Sequence, residues 1–317
     1  MSGKFVIGSR GSELALWQAE FIKDRLQTAF PNNQFEIKII RTTGDELLDR
    51  PLSKIGDKGL FTKQIEAELI NGWIDLAVHS LKDLQTEQPA GLMMGAVCER
   101  EIPNDVLISK TGGSIDELPT GSTVATGSLR RRSQLLHYRP DIKIAEIRGN
   151  VVTRFKKLNE SNVDAMILAY AGVSRLGLDK HISQIIPFDV MLPAAGQGAV
   201  AVEIREGDER TAEIVKQLDH IPTRICVTAE RAFLKTLEGG CQVPIGAHAT
   251  LDGEVVSLEG MVGSLDGTVI FRDCVSGNAE GAEPLGIELA NTMIKLGARE
   301  LLDATREQAS SNTNLAM

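Results

Sequence analysis

Trp73-Ile74-Asp75-Leu76-Ala77-Val78-His79-Ser80-Leu81-Lys82-Asp83 is an apolar run that turns abruptly polar at one end. Trp73–His79 reads as a buried strand, and the polar group sits at its carboxyl end, where open parallel sheets bind ligands. Working outward, Lys4–Gly8 reads as strand, Ser12–Phe30 as amphipathic helix, Phe35–Arg41 as strand and Leu60–Asn71 as helix. That βα alternation implies a largely parallel sheet. The charged, glycine-bearing connection Thr42–Gly59 has the length of a lid.

From Asp105 the series restarts: strand Thr123–Ala125, helix Leu129–Tyr138, strand Lys143–Ile147, helix Val151–Asn159, strand Ala165–Leu168 and helix Val173–Leu178. A second α/β domain is expected there. The strand Ala199–Ile204 begins too late for it and is expected to cross back to the first. Beyond Pro222, Asp252-Gly253 and Asp266-Gly267 mark turns between β-rich runs, a closing helix spans Glu283–Leu302, and Ser310–Met317 reads as a frayed tail. The expected division is residues 1–98 with 199–216, then 104–192, then a small α+β domain over 220–317.

At 317 residues, two or three domains are the natural expectation. With 42% hydrophobic and 24% charged residues the chain reads as an ordinary soluble protein, without a membrane span or signal peptide. Four irregularly spaced cysteines, Cys98, Cys226, Cys241 and Cys274, match neither a zinc site nor a disulfide framework, so a reducing cytoplasm is expected. A net charge of −9 argues against nonspecific polyanion binding, and neither a nucleic-acid nor a membrane partner is expected.

Against that acidity, Arg130-Arg131-Arg132, Arg139, Arg148, Arg154, Lys156, Lys157 and Arg175 cluster in one stretch. Lys156-Lys157 reads as a solvated helix face. The arginines after glycine or serine at strand ends sit where a ligand is held: Thr126-Gly127-Ser128 leads into Leu129-Arg130-Arg131, with Ser128 placed to cap the helix, and Arg148-Gly149-Asn150 repeats the arrangement. Asp83 is the acid of the first group. Paired with a surface lysine it would be unremarkable, but in a cleft it could stabilise a developing cation or exchange protons. His79 ranks below it, because a lone histidine at a strand end is more often structural. An acid-bearing crevice and an arginine-rich one suggest an interdomain cleft for a polycarboxylate or phosphorylated small molecule.

Cys241 lies in Glu238-Gly239-Gly240-Cys241-Gln242-Val243-Pro244-Ile245-Gly246, a loop that displays its thiol. The preceding Thr228–Leu237 reads as a helix stopped by Gly239 or Gly240. A helix carboxyl end disfavours a thiolate, and His248 has no evident geometric link. A permanent attachment point needs access and no lowered pKa, so it competes well with a catalytic nucleophile, and nothing local decides between them.

These residues resemble the porphobilinogen deaminase (hydroxymethylbilane synthase) family. Glu230-Arg231, Phe233, Leu237, Gly239-Gly240-Cys241 and Val243-Pro244-Ile245-Gly246 are similar to its cofactor-attachment pattern. So are Gly8-Ser9-Arg10, Leu14-Ala15-Leu16-Trp17-Gln18, Lys58-Gly59-Leu60-Phe61, His79-Ser80-Leu81-Lys82-Asp83, Gly127-Ser128-Leu129-Arg130-Arg131, Arg148-Gly149-Asn150 and Gly196-Gln197-Gly198 to its other motifs. The resemblance implies two α/β domains like those of periplasmic binding proteins, an interdomain cleft and a small α+β C-terminal domain. It implies a transferase of tetrapyrrole, porphyrin and heme biosynthesis, working as a monomer. That enzyme joins four porphobilinogen units, each losing ammonia, and releases hydroxymethylbilane from a dipyrromethane cofactor tethered by a thioether.

By position the resemblance makes Cys241 the tether and Asp83, with Lys82, catalytic. Lys82, Asp83, Thr126, Ser128, Arg130 and Arg131 would hold the cofactor. Arg10, Ser12, Gln18, Lys54, Lys58, Ser80, Arg148, Arg154 and Arg175 would bind substrate, and Thr42–Gly59 would be a mobile lid. Each pyrrole carries two carboxylates, so a cleft holding a growing chain needs many guanidinium partners. Gln85 stands where the family commonly has proline, a change expected to loosen the turn at Asp83 while leaving the acid. No metal or nucleotide is expected. The competing readings are a noncatalytic two-domain anion-binding protein, which leaves Cys241 unexplained, and an acyl-transfer nucleophile, which lacks a histidine partner and an oxyanion motif.

Overall fold

The computed structural model describes residues 3–46, 59–237 and 243–314. In chain order its elements are β1 (Lys4–Ser9), α1 (Glu13–Ala29), β2 (Gln34–Ile39), α2 (Thr43–Glu46), α3 (Lys63–Ile70), β3 (Leu76–Ser80) and β4 (Leu92–Val97). Then come β5 (Asp105–Ser109), β6 (Thr123–Ala125), α4 (Leu129–Tyr138), β7 (Lys143–Ala145), α5 (Val151–Glu160), β8 (Ala165–Ala169), α6 (Tyr170–Ser174) and β9 (Gln184–Ile185). The chain continues through β10 (Val200–Arg205), α7 (Glu209–Val215), α8 (Ile221–Thr236), β11 (Ile245–Asp252), β12 (Val255–Gly263), β13 (Ile270–Asn278), α9 (Ala282–Lys295) and α10 (Ala298–Asn314).

Two compact units result: the described residues up to Glu101 with Gly198–Arg224, and Ile102–Gln197 with those from Ile225 onward. The first is built on a five-stranded sheet of order β2-β1-β3-β10-β4. β1 is parallel to β2 and β3, and β10 runs antiparallel between β3 and β4. α1 covers one face, placing Ala19, Ile22 and Leu26 against Phe5, Ile7 and Val78. α3 covers the other, placing Ile65 and Leu69 against Ile40, Ala77 and Leu92. Each of the larger side chains among these contributes roughly 1.5–3 kcal/mol by leaving water.

The second unit holds a sheet of order β7-β6-β8-β5-β9, with the same pattern of parallel centre and antiparallel fourth strand. α4 sends Leu135 to one face and α5 sends Leu158 to the other. A separate three-stranded antiparallel sheet, β11-β12-β13, packs Ala247, Val256 and Leu258 against Phe233 of α8 and Leu289 and Met293 of α9. The fold is therefore mixed α/β, with a small α+β domain at the C-terminal end.

Several expected boundaries move. β3 begins at Leu76 because Trp73 stays 62% exposed. The helix expected over 173–178 lies at Tyr170–Ser174, since Gly177 takes a positive φ of 66°. The closing helix is broken by Gly297, whose φ of 104° ends α9, and α10 carries on to Asn314 through residues expected to fray. The helix expected from Thr228 starts at Ile221.

One glycine is needed for close approach rather than for φ. A Cβ on Gly286 of α9 would collide with the Ala229 carbonyl of α8 and lie 2.8 Å from Ala232 Cβ. Gly286→Ala is expected to lower stability by roughly 1–3 kcal/mol despite alanine's better helix propensity, because backbone cannot step aside as a side chain can. Urea unfolding checks this.

Candidate active site

In the first unit the register Gly8↔Ala77 brings the carboxyl ends of β1 and β3 side by side. Ser12 caps α1, its hydroxyl accepting from Ala15 N at 3.3 Å. Buried Gln18 donates from Nε2 to Ser80 Oγ at 2.8 Å, joining α1 to the end of β3. A single 3-10 turn, Leu81–Asp83, follows. Leu81 is fully buried and its N–H bonds Ala199 O at 3.0 Å, so Lys82 and Asp83 are left half-buried at the rim. Leu84 is buried as well, so the turn is anchored on both sides without a proline at Gln85.

Arg10 gives Nε and Nη2 to Asp45 and lies 4.2 Å from the Phe61 ring centre. Asp45 also accepts from Thr42 Oγ1 at 2.7 Å. Burial opposes its ionisation, but the Arg10 and Thr42 hydrogen bonds and the Arg10 charge outweigh it and hold the carboxyl below its usual 3.8. The structure thus brings Arg10, Ser12, Gln18, Ser80, Lys82 and Asp83 to one sheet edge, with Arg10 already paired.

In the second unit the carboxyl ends of β6, β7 and β8 form the matching edge. Thr126 Oγ1 accepts from Ser128 N at 3.2 Å, and Ser128 Oγ accepts from Arg131 N at 3.4 Å as cap of α4. Asn150 caps α5 through Thr153 N at 2.8 Å. Arg148 and Arg154 are half-buried, with Arg154 Nε on Gly149 O at 2.9 Å, and Arg175 ends α6. Burial makes the Arg148 charge more costly, and Glu146 partly offsets this.

Arg130 and Arg131 point inward, onto Asp105, which β5 delivers to this edge because Asp105 pairs with Ala169. Arg131 donates Nε at 3.1 Å and Nη2 at 2.8 Å to Asp105 Oδ1, and Nη1 to Ile167 O. Arg130 Nη1 reaches Asp105 Oδ2 at 2.7 Å and Leu192 O at 2.6 Å. Gln197 Nε2 adds a bond to Asp105 Oδ1 at 2.9 Å. Burial alone would raise the fully enclosed Asp105 carboxyl, yet the two guanidinium charges drive it far below the carboxylate range. Burial likewise lowers Arg130, which Asp105 counteracts and the Arg131 charge aggravates.

Two guanidinium groups against one carboxylate leave an excess positive charge in a buried network. That surplus fits a ligand bearing carboxylates. All three nitrogens of Arg131 are engaged by protein, whereas Arg130 commits only Nη1, so Arg130 is the better placed of the two to receive one.

Cys241, Lys54, Lys58 and the lid span 47–58 lie outside the described residues. α8, which leads towards Cys241, carries fully buried Glu230, whose carboxylate accepts from Gly196 N at 2.7 Å and Ala249 N at 2.8 Å. The sequence alone pointed to no role for Asp105, and Gln197 and Glu230 stood out only as members of family motifs. The available signal was an acid heading the apolar run Asp105-Val106-Leu107-Ile108 and another inside an apolar helix. Among the described residues no group of His, Cys, Asp and Glu is arranged to hold a metal ion, and no helix is long and apolar enough to cross a membrane.

The family model described as "Porphobilinogen deaminase, dipyromethane cofactor binding domain" matches residues 5–213, and "Porphobilinogen deaminase, C-terminal domain" matches 224–295. A porphobilinogen deaminase of Pelotomaculum thermopropionicum is 51% identical over 97% of this chain and 99% of its own. One from Chlorobium phaeobacteroides strain BS1 is 53% identical over 97% and 99%. One from Carboxydothermus hydrogenoformans is 47% identical over 98% and 100%. With both family models matched and relatives similar from end to end, the chain belongs to the porphobilinogen deaminase family.

Proposed function

We propose that the chain joins four porphobilinogen molecules head to tail, with loss of ammonia, into hydroxymethylbilane, and that Cys241 holds a dipyrromethane cofactor covalently while it does so. The activity is that of a hydroxymethylbilane synthase, a transferase of tetrapyrrole biosynthesis. When bound, dipyrromethane supplies the primer for the chain. The observation that carries the assignment of residues is the buried Arg130–Asp105–Arg131 network with its surplus positive charge.

In this reading Thr126, Ser128, Arg130 and Arg131 hold the cofactor's carboxylates, with Lys82. Arg148, Arg154 and Arg175 receive substrate acetates and propionates, as do Arg10, Lys54 and Lys58, with Ser12, Gln18 and Ser80 as secondary contacts. Asp83 serves the pyrrole nitrogens and stabilises the positive charge that develops on porphobilinogen as ammonia leaves; such stabilisation is strongest where water is excluded. The three-domain division at 1–98 with 199–216, 104–192 and 220–317 belongs to the same reading. So does a monomer working in the cytoplasm for heme synthesis; the irregular spacing of the four cysteines, which matches no disulfide framework, favours a reducing compartment. The arginine network would also suit plain anion binding, but the family membership of the chain does not favour that reading, and no observation favours acyl transfer.

Intact mass spectrometry tests the tether. Protein from cells that make porphobilinogen is expected to carry the added mass of a dipyrromethane, and Cys241→Ala is expected to lack it. The same excess over the sequence mass in both proteins, or none in the wild type, would overturn the attachment.

A further inference from the structure

The sheet face beneath α3 is not wholly apolar. In the β3/β10 register Ala201 is opposite His79 and Glu203 opposite Ala77, so His79 and Glu203 are diagonal neighbours on one face. Glu203 is fully buried, and its Oε2 stands 3.4 Å from His79 Nε2, outside hydrogen-bond geometry. Glu66 of α3 is buried over the same face. Neither oxygen of Glu203, nor Glu66 Oε1, nor His79 Nε2 makes a hydrogen bond to any described residue. Each such atom costs roughly 1–3 kcal/mol, and four of them in one core are kept for a reason other than stability.

Two carboxyls and an imidazole in so dry a space cannot sustain two bare negative charges. Burial raises Glu66, the Glu203 charge raises it further, and Thr62, His79 and Lys63 only partly oppose this. Glu66 therefore keeps its proton where exposed carboxylates have lost theirs. The same two strands carry the catalytic turn: Val200 pairs with Ser80, and Leu81 N bonds Ala199 O. We propose that His79, Glu203 and Glu66 act together as positioning residues for the Lys82–Asp83 turn, which they underlie.

Lys63 of α3 is the other charge acting on Glu66; Glu68 lies farther along α3, Lys82 and Asp83 on the turn after β3, and Arg205 two residues beyond Glu203 on β10. Arg205 is committed to the Leu69 and Ile74 carbonyls and to Asp208. The proposal rests on the synthase reading for its kinetic part, so its test also reads positions that no reaction is needed to see. Glu66→Gln copies the shape of the protonated acid. It is expected to leave kcat near neutral pH within about twofold. A raised native pKa gives stability that is present below the unfolded value and lost as pH rises through the native one. The wild-type Tm is therefore expected to fall below that of Glu66→Gln as pH rises.

Glu203→Gln is expected to lower kcat roughly tenfold to a hundredfold with KM little changed, as a misplaced catalytic group does. It is also expected to speed amide exchange at Leu81 on the order of tenfold, a local opening. Unchanged kcat and unchanged Leu81 exchange would overturn the proposal, as would a uniform loss of Tm without either local change. Faster Leu81 exchange in a protein whose parent makes no hydroxymethylbilane would support the positioning while removing the reaction it serves.

Discussion

Asp83→Asn is expected to lower turnover by roughly 10²–10⁴, the range for losing a group that exchanges protons or meets a developing charge. The side chain is half-buried on a turn whose hold on the sheet comes from Leu81 and Leu84, so amide for carboxylate should barely alter folding. In the proposed reading carboxylate recognition resides in arginines elsewhere, so the first porphobilinogen should still bind and KM should move little. Single-turnover release of ammonia together with a thermal melt separates these outcomes. A variant with turnover within a few fold of wild type would remove Asp83 from the mechanism, and one with a collapsed Tm would recast it as structural. Asp83→Glu keeps the charge but shifts it by one methylene, and should fall between the two.

The turn that carries Asp83 was legible because everything defining it is local. An apolar strand, a buried leucine and a polar remainder are adjacent in sequence. The same holds for the cap Ser128 and for Asn150, where the arrangement repeats, each seen bonding the N–H three residues on. Helices α1, α4 and α5 could be read from their apolar period for the same reason. What escaped depends on partners far along the chain. Asp105 meets Arg130 and Arg131 across 25 and 26 residues, and Gln197 across 92. Nothing in a short window says that an acid at the head of a strand will be enclosed by two arginines from a helix.

β4 and β5 went unread because Leu92–Val97 and Asp105–Ser109 are short and lack the alternation that marks a half-exposed strand: β4 is buried only at its ends, and β5 is buried along nearly all its length. The break between α9 and α10 was missed because a glycine inside a helical pattern is usually tolerated, whereas Gly297 takes a conformation that ends the helix. His79 was set aside as structural on its sequence alone. Its place diagonal to Glu203 depends on the register of β10 on β3; the return of β10 to the first domain was expected, but the register is fixed by tertiary contact.

Asp105→Ala should be the most destructive single substitution in the second unit. It leaves Arg130 and Arg131, 4% and 5% exposed, as uncompensated charges, and removal of one partner from a buried ion network costs about 3–5 kcal/mol. Gln197 Nε2 loses one acceptor at the same time and keeps Pro103 O at 2.7 Å. Asp105→Asn keeps the shape and an acceptor but not the charge, so it should fold better than the alanine variant while still losing stability. Acid separates charge from shape. Because the native Asp105 carboxyl lies far below its usual 3.8, its contribution is fully present above that value and is lost as pH falls towards the native one. The wild type should therefore lose stability below about pH 4 more steeply than Asp105→Asn, which has no proton to gain there. Urea unfolding between neutral pH and pH 3 measures both. An alanine variant within about 1 kcal/mol of wild type at neutral pH would show that the two guanidinium groups find water or a ligand instead, and that Asp105 is not what holds them.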